Sequence, residues 1–514
     1  MNLKTLKKTD FFWVILLFIS FFQIEHNVDS IYSLYISIFE KFFFHPHHLI
    51  QYLPFKIIAY ITGHNLLLTF IFSELMMLFL FFVDFLLIYI FLEELLGKSS
   101  VILSFAILFN TINFITLLQF ESYGFIYPFI ILQFIIILRI LREKGNFVFL
   151  SFTNSFLFIF MIFFHQNALI LWGINQTFIF ISLFLKKKKK EISFFITIFF
   201  VTIICIFIGY YGSYFLNKRI LHFSLSFKDW FFYYENIFKS QHHGSIKHFF
   251  QLFFYKLYFM NLLSGIFGLH QITLWKFLSH NIFFGTIILV YLLAIYTFIL
   301  NIVKKRKDFL FYLYTFFIYL IFSFAIIWWH SGLHKWYIFL NFPFWIILLT
   351  LLEKQMQRKI FKLFLILIIF SNVFIFTKSR MKGIYRFMYF NHLKKVSAEG
   401  DFYICTILTD TQISKLFNIK NIITSENLRK KINKLILSNG YFIYQSNFAL
   451  KNIESFIRMQ LGSIPNLKNS KFLLMEYFPN IYEGIIIPSR KGEKVIDNVL
   501  KQRKKIILKP ITSW

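Results

Sequence analysis

Apolar runs long enough to cross a hydrocarbon core follow one another from Phe11 to Thr377. A helical crossing needs about 20 mostly apolar residues, and in lipid only helices or closed barrels satisfy their own backbone. The pattern predicts eleven spans, at roughly 11–28, 66–92, 100–119, 122–141, 147–164, 167–185, 193–215, 283–303, 309–329, 336–352 and 360–377. The stretch from Phe249 to Gly268 is also apolar. It is expected to lie in the membrane plane or to re-enter, because a twelfth crossing would reverse the side of the Lys304–Lys307 cluster. After Phe376 the pattern changes. Strand-length runs such as Asp401-Phe-Tyr-Ile-Cys-Thr-Ile-Leu and Lys471-Phe-Leu-Leu-Met alternate with polar, helix-like stretches at Ser425–Leu437 and Gly492–Lys505. The expected fold is an all-α polytopic membrane domain over 1–377, with interfacial helices in its first outside loop, followed by a small α/β domain over 378–514. No internal repeat is visible, and Lys186–Lys190 is the low-complexity stretch.

Composition agrees with this reading and charge orients it. Apolar residues make up 58% of the 514-residue chain and charged residues only 15%, so a soluble fold of this size could not hide its apolar surface. The net charge of +30 raises nucleic-acid binding as a first thought, but much of the basic charge flanks apolar spans. The 79 phenylalanines and the Ile/Lys/Asn bias fit mutational drift in an A+T-rich genome. No nucleic-acid partner is expected. Lys4, Lys7 and Lys8 precede the first span, and eleven crossings put Arg142/Lys144, Lys186–Lys190, Lys304–Lys307 and Arg358/Lys359 on the same side. By the positive-inside rule that side is the cytoplasm. The expected location is the cytoplasmic (inner) membrane, with the tail domain extracytoplasmic. Phe11–Ile24 lacks a small-residue cleavage site and reads as a retained span. Cys205 in a span and Cys405 in the tail are not expected to pair.

The chemistry-bearing residues fall on the outside turns. Glu25 and Asp29 lie four apart where the first span ends and share a face if the helix continues that far. His45-Pro-His-His48 forms a corner between two amphipathic stretches, with Pro46 suited to a break. His45, His47 and His48 invite a metal reading, but no HExxH motif or comparable ligand set follows, so no metal ligand is assigned. A divalent cation is the only cofactor left open. Glu121 sits in Gln119-Phe-Glu-Ser-Tyr-Gly124 between two spans and is either a helix cap or a site residue. His165 and Gln166 close the fifth span and either satisfy helix-end groups or serve a site. His330, His334 and Lys335 stand among Trp328, Trp329 and Trp336. They read either as an aromatic belt with snorkelling cations or as a phosphate contact at headgroup depth.

Taken in order, these segments resemble the C-type (GT-C) multi-spanning glycosyltransferases that use lipid-phosphate-linked sugars, the group with the dolichyl-phosphate-mannose and aminoarabinose transferases. Asp29 stands just after the first span. Phe44-His-Pro-His-His-Leu-Ile-Gln-Tyr52 looks like the His/Pro corner, and Leu96-Gly97 with Phe120-Glu-Ser-Tyr123 like the family's acid-then-Tyr stretch. Phe164-His-Gln166 resembles the helix-end His-Gln, and Trp329–Tyr337 the late aromatic-basic turn. The resemblance implies transfer of a glycosyl group from a polyprenyl-phosphate donor to a glycan, lipid or protein acceptor. It implies Asp29 as base, and Glu25 as its substitute, because many members carry a second acid beside the catalytic Asp whereas Ser30 follows here. It gives substrate contacts to His45, His47, His48, Glu121, Tyr123, His165, Gln166, His330, His334 and Lys335.

Other classes leave different marks. An ATP-driven pump would carry GxxxxGK[ST], which is absent. A carrier or flippase predicts half-to-half symmetry and broken helices, and no such symmetry is seen. A polysaccharide polymerase or ligase would place its basic site in the loop from Lys218 to Lys276. A scaffold without activity is the fourth alternative.

Overall fold

The computed structural model describes residues 28–39, 44–45, 47–97, 101–221, 225–232, 244–304, 308–329, 334–352 and 359–374, together with six strands of the tail. The chain divides into two compact units. One contains Ile36–Thr377, and the other joins Lys378–Trp514 with Glu25–Tyr35.

The described part of the first unit is helical. After α1 (Val28–Phe39), whose residues up to Tyr35 are grouped with the second unit, come α2 (Leu53–Ile61), α3 (Leu66–Leu96), α4 (Val101–Leu108), α5 (Thr111–Leu117), α6 (Ser122–Leu141), α7 (Phe147–Phe164), α8 (Ala168–Leu185) and α9 (Lys189–Leu221). The short α10 (Phe227–Phe231) is followed by α11 (Leu252–Phe267), α12 (Gln271–Ser279), α13 (Asn281–Lys304), α14 (Phe309–Trp329) and α15 (Ile338–Leu352). Residues 359–374 form α16, the last of the described helices. Among the described residues seven helices, α3, α6, α7, α8, α9, α13 and α14, are long and apolar enough to cross a membrane. The chain is a multi-pass membrane protein.

The remaining expected spans differ in instructive ways. The span at 11–28 lies outside the described residues except for its last. The run expected as one span at 100–119 is broken into α4 and α5. The break is chemical. Asn110 caps α5 by accepting from the Asn113 N–H at 2.9 Å, and its own amide donates to the Ile107 carbonyl at 2.7 Å. The Asn113 amide donates to the carbonyls of Ile107 and Leu108 at 3.1 and 3.0 Å. Asn341 of α15 donates to Asn113 Oδ1 at 2.7 Å. Side-chain amides thus replace the lost helical bonds, and all three asparagines are fully buried. Irregular backbone survives inside a membrane protein only on such terms. The run expected at 336–352 starts as a 3-10 turn, His334–Tyr337, before the 15-residue α15. The segment expected as in-plane or re-entrant contains the 16-residue α11.

Burial sorts the helices. In α6, 83% of the most apolar window is buried, against 11% in α9 and in α13. The first is the centre of the bundle, and the other two present most of their surface outward. Helix α6 packs on α3 and α7. Its start comes very close to the preceding segment: a Cβ at Gly124 would lie 2.6 Å from the Leu117 carbonyl oxygen. Polar clusters mark the two ends of α6. Arg142, just past its last turn, holds Asp308 through two bonds of 2.7 and 2.8 Å. Close by, Lys186 pairs with Glu143 at 2.9 Å and Arg139 with Glu94. Twenty helical residues, about 30 Å at 1.5 Å each, separate this basic end from the histidines at the other. That length matches a hydrocarbon core.

In the second unit the described strands are β1 (Phe402–Cys405), β2 (Ile422–Ile423), β3 (Tyr441–Ser446), β4 (Lys471–Phe478), β5 (Ile481–Ile487) and β6 (Ile506–Pro510). They form one sheet in the order β2-β1-β3-β5-β4-β6. β1 runs parallel to β2 and β3, and the other pairings are antiparallel. β4 pairs with β5 from Lys471 opposite Ile487 to Phe478 opposite Ile481. The helices expected between strands lie outside the described residues.

Gly124→Ala places a methyl group against the backbone of Leu117, which cannot rotate away. The substitution is expected to cost about 1–3 kcal/mol, read as a lowered unfolding temperature in detergent. An unchanged Tm would show that α5 and α6 separate more easily than their contact implies.

Candidate functional site

The site is built where three chain segments meet at one end of the bundle. The first is the His/Pro corner. Its ring and backbone groups close on themselves: His48 N–H donates to the His45 carbonyl at 3.1 Å, and His47 N–H to His45 Nδ1 at 3.2 Å. Asn217 of α9 brackets the segment before it, accepting from Phe44 N–H at 2.8 Å and donating to the Phe44 carbonyl at 2.6 Å.

The second segment is the end of α7. A helix leaves its last carbonyls without partners inside the helix, and here the corner supplies them. Ile50 N–H donates to the Phe163 carbonyl at 3.1 Å, and His48 Nδ1 lies 3.1 Å from the Phe164 carbonyl. In return Gln166 N–H donates to the His47 carbonyl at 3.2 Å, and Gln166 Oε1 lies 3.1 Å from His47 Nδ1. The third segment is the start of α6. Ser122 Oγ is 3.2 Å from His48 Nδ1, and Tyr123 OH is 2.8 Å from His165 Nε2.

The imidazoles of His47, His48 and His165 therefore converge. Their ring centroids lie 4.5–4.6 Å apart pairwise, all in tilted, edge-on arrangements. His165 is fully buried, whereas His47 and His48 keep partial exposure. His45 stands one step back, 5.7 Å from His48, and is buried. Phe339, at the start of α15, is 6.2 Å from His165. The late turn at His334–Tyr337 thus ends beside this cluster.

Burial decides the charge state. It pushes His45 down to about 3, with the neighbouring His47 adding to the shift. It lowers His47, against the opposing bond from Gln166. It lowers His48 well below the usual range, helped by His165, His47 and His45 and opposed by the Phe164 carbonyl. Rings crowded this closely away from water favour the neutral form.

Of the residues singled out in the sequence, His45, His47, His48, Tyr123, His165 and Gln166 come together. Glu121 is buried next to them, at the N-cap position of α6, and its side chain makes no capping hydrogen bond. Asp29 lies in the first turn of α1. Its side chain, Glu25, His330 and the side chains of His334 and Lys335 lie outside the described residues. Ser122 and Asn217 were not singled out in the sequence, although Ser122 sits between two residues that were. A second buried polar group lies elsewhere, at the helix break. Tyr127 hydroxyl accepts from Asn341 at 3.3 Å, and Asp84 of α3 lies within electrostatic reach of it. Both Asp84 oxygens are buried and meet no hydrogen-bond donor among the described residues.

No protein-family model matches this chain, and no curated protein matches it in sequence.

The histidine rings give a stability that depends on pH in a definite direction. Each binds its proton less tightly folded than unfolded, so the unfolded chain takes up protons first as pH falls. Stability is full above the unfolded value of about 6.5 and is lost below it. For His45 the loss continues down to about 3. One such ring costs about 1.4 kcal/mol between about pH 7.5 and about pH 5.5. The unfolding temperature should fall over that range, and His45→Gln should flatten the fall. A pH-independent Tm would contradict the burial of these rings.

Proposed function

We propose that the chain is a membrane glycosyltransferase of the C-type. It would move a glycosyl group from a polyprenyl-phosphate-linked donor to an acceptor at the outer face of the cytoplasmic membrane. One observation carries this reading. The three segments that resemble the family's His/Pro corner, its acid-then-Tyr stretch and its helix-end His-Gln lie far apart in sequence, yet they meet in one polar cluster. That cluster is a bilayer's thickness from the basic end at Arg142 and Lys186. The late aromatic-basic turn ends beside it through Phe339.

The chemistry fits that position. The donor's lipid tail keeps its phosphate at headgroup depth. The acceptor hydroxyl, arriving from water, attacks the anomeric carbon. The bond from that carbon to the phosphate oxygen breaks, and the lipid phosphate leaves with its electron pair. Asp29, or Glu25 in its place, takes the hydroxyl proton. His330, His334 and Lys335 offset charge developing on the phosphate. The donor is already activated, so no nucleotide site is needed. The full bundle is read as eleven spans with the N-terminus inside, and the tail as an extracytoplasmic α/β domain that selects the acceptor.

A second reading has its own observation. The buried break between α4 and α5, with Asp84 nearby, is the kind of feature a carrier or flippase of a lipid-linked substrate uses. The two readings part in one assay. Purified protein in vesicles, given a polyprenyl-phosphate sugar and a glycan acceptor, should form a new glycosidic bond, and Asp29→Asn should slow it by about 10²–10⁴-fold at equal expression. Movement of the donor across the bilayer without bond formation would favour the carrier. If Asp29→Asn and Glu25→Gln both leave a demonstrated transfer intact, the proposed base is wrong. For topology, in a chain whose Cys205 and Cys405 are replaced by Ser, an impermeant thiol reagent added to intact cells should label a cysteine placed at Ser425 and miss one at Lys188. The reverse pattern would overturn the orientation.

A further inference from the structure

We propose that His47, His48 and His165 form a binding site for a single transition-metal dication of the Zn2+ class. Among the described residues, these three are the one group of histidine, cysteine or carboxylate side chains whose ligand atoms converge, lying within 4.8 Å of one another. Zinc–imidazole bonds of about 2.0–2.1 Å set tetrahedral ligand nitrogens about 3.3 Å apart. Closing on an ion therefore asks for a contraction of about 1.5 Å at most between these ligand atoms.

The surroundings are those of a ligand set. A metal-binding imidazole commonly gives its other nitrogen to a carbonyl or carboxylate, which fixes both tautomer and ring orientation. His47 Nδ1 meets the Gln166 side-chain carbonyl and His48 Nδ1 the Phe164 backbone carbonyl, each at 3.1 Å. With the proton on Nδ1, each ring carries its lone pair on Nε2, the form that binds a metal. His165 is oriented by two partners, Asn167 N–H at 3.1 Å and Tyr123 hydroxyl at 2.8 Å, and taking an ion exchanges one of them. The donors are all imidazole. That selects zinc, cobalt, nickel or copper over magnesium or calcium, which prefer oxygen. Three protein ligands also leave at least one position for a water or an anionic oxygen, as in open zinc sites.

The site joins three segments far apart in sequence: the corner, the turn after α7 and, through Ser122 and Tyr123, the start of α6. An ion there would stabilise the folded state in proportion to its occupancy.

The test uses the full chain without a polyhistidine tag, purified in detergent, stripped with EDTA and titrated with Co2+ and Zn2+. The expected result is about one Co2+ per chain with the visible absorption of a nitrogen-rich, four- or five-coordinate site, displaced by Zn2+. Zn2+ should raise the unfolding temperature, and Mg2+ at the same concentration should not. His48→Gln and His165→Gln should each weaken Co2+ binding by at least about tenfold, whereas His280→Gln, an exposed histidine outside the cluster, should leave it unchanged. If either variant fails to fold, the Co2+ spectrum and the Zn2+/Mg2+ comparison on the parent chain decide alone. A folded parent that binds no Co2+, gives an all-oxygen octahedral spectrum, or is stabilised equally by Mg2+ overturns the proposal. So does binding that survives both substitutions. None of these readouts depends on sugar transfer.

Discussion

Inside a bilayer every backbone N–H and C=O must find its partner within the protein, and the architecture of this chain follows from that demand. Where the chain stays helical, the demand is met locally and the side chains are left to lipid. Where it departs from the helix, specific polar side chains step in. Asn110 and Asn113 satisfy the carbonyls freed at the break between α4 and α5. The corner at His45–Ile50 satisfies the carbonyls at the end of α7. Hydroxyls of Tyr258, Tyr319, Ser323 and Tyr291 bond one another at 2.8–3.1 Å and tie α11, α13 and α14 together. The break at Asn110 and the end of α7 thus each carry a polar cluster, and these clusters are where chemistry becomes possible.

The apolar pattern made the long helices legible because a helix in lipid must be apolar over most of its length. The boundaries of α6, α7 and α8 differ by no more than a residue from the runs in the sequence. What the pattern hid was the break at Asn110. Asparagine is a modest presence in an apolar run, and its role depends on Asn341, which lies 231 positions away. The candidate site was half legible for the same reason. His45, His47 and His48 are conspicuous as neighbours in sequence, but three-ligand geometry requires His165, which belongs to another turn. Spacing rules for metal motifs look along one chain segment, whereas this group is assembled across two.

The histidine cluster has two kinds of neighbour, and they constrain one another. Carbonyl oxygens from Phe164 and Gln166 hold two rings in one tautomer, and the Tyr123 hydroxyl and Asn167 N–H hold the third. The rings cannot turn freely without breaking the bonds that close the end of α7. Positioning of the cluster and integrity of the helix end are therefore one property. A substitution at Gln166 would be felt in both.

The contrast in burial between α6 and its neighbours has a consequence for descent. Helices α9 and α13 bury few of their residues, so at their exposed positions Phe, Ile, Leu and Val can replace one another with little effect on packing. Helix α6 touches protein on every side, and a Gly, Ser or Tyr at its start has no ready substitute. The chain therefore ages unevenly. Lineages that share this bundle would lose resemblance first along the lipid-facing helices, which hold many of its residues, and keep it longest in a few scattered positions around the histidines. Kinship would persist in three dimensions long after it had faded from the letters.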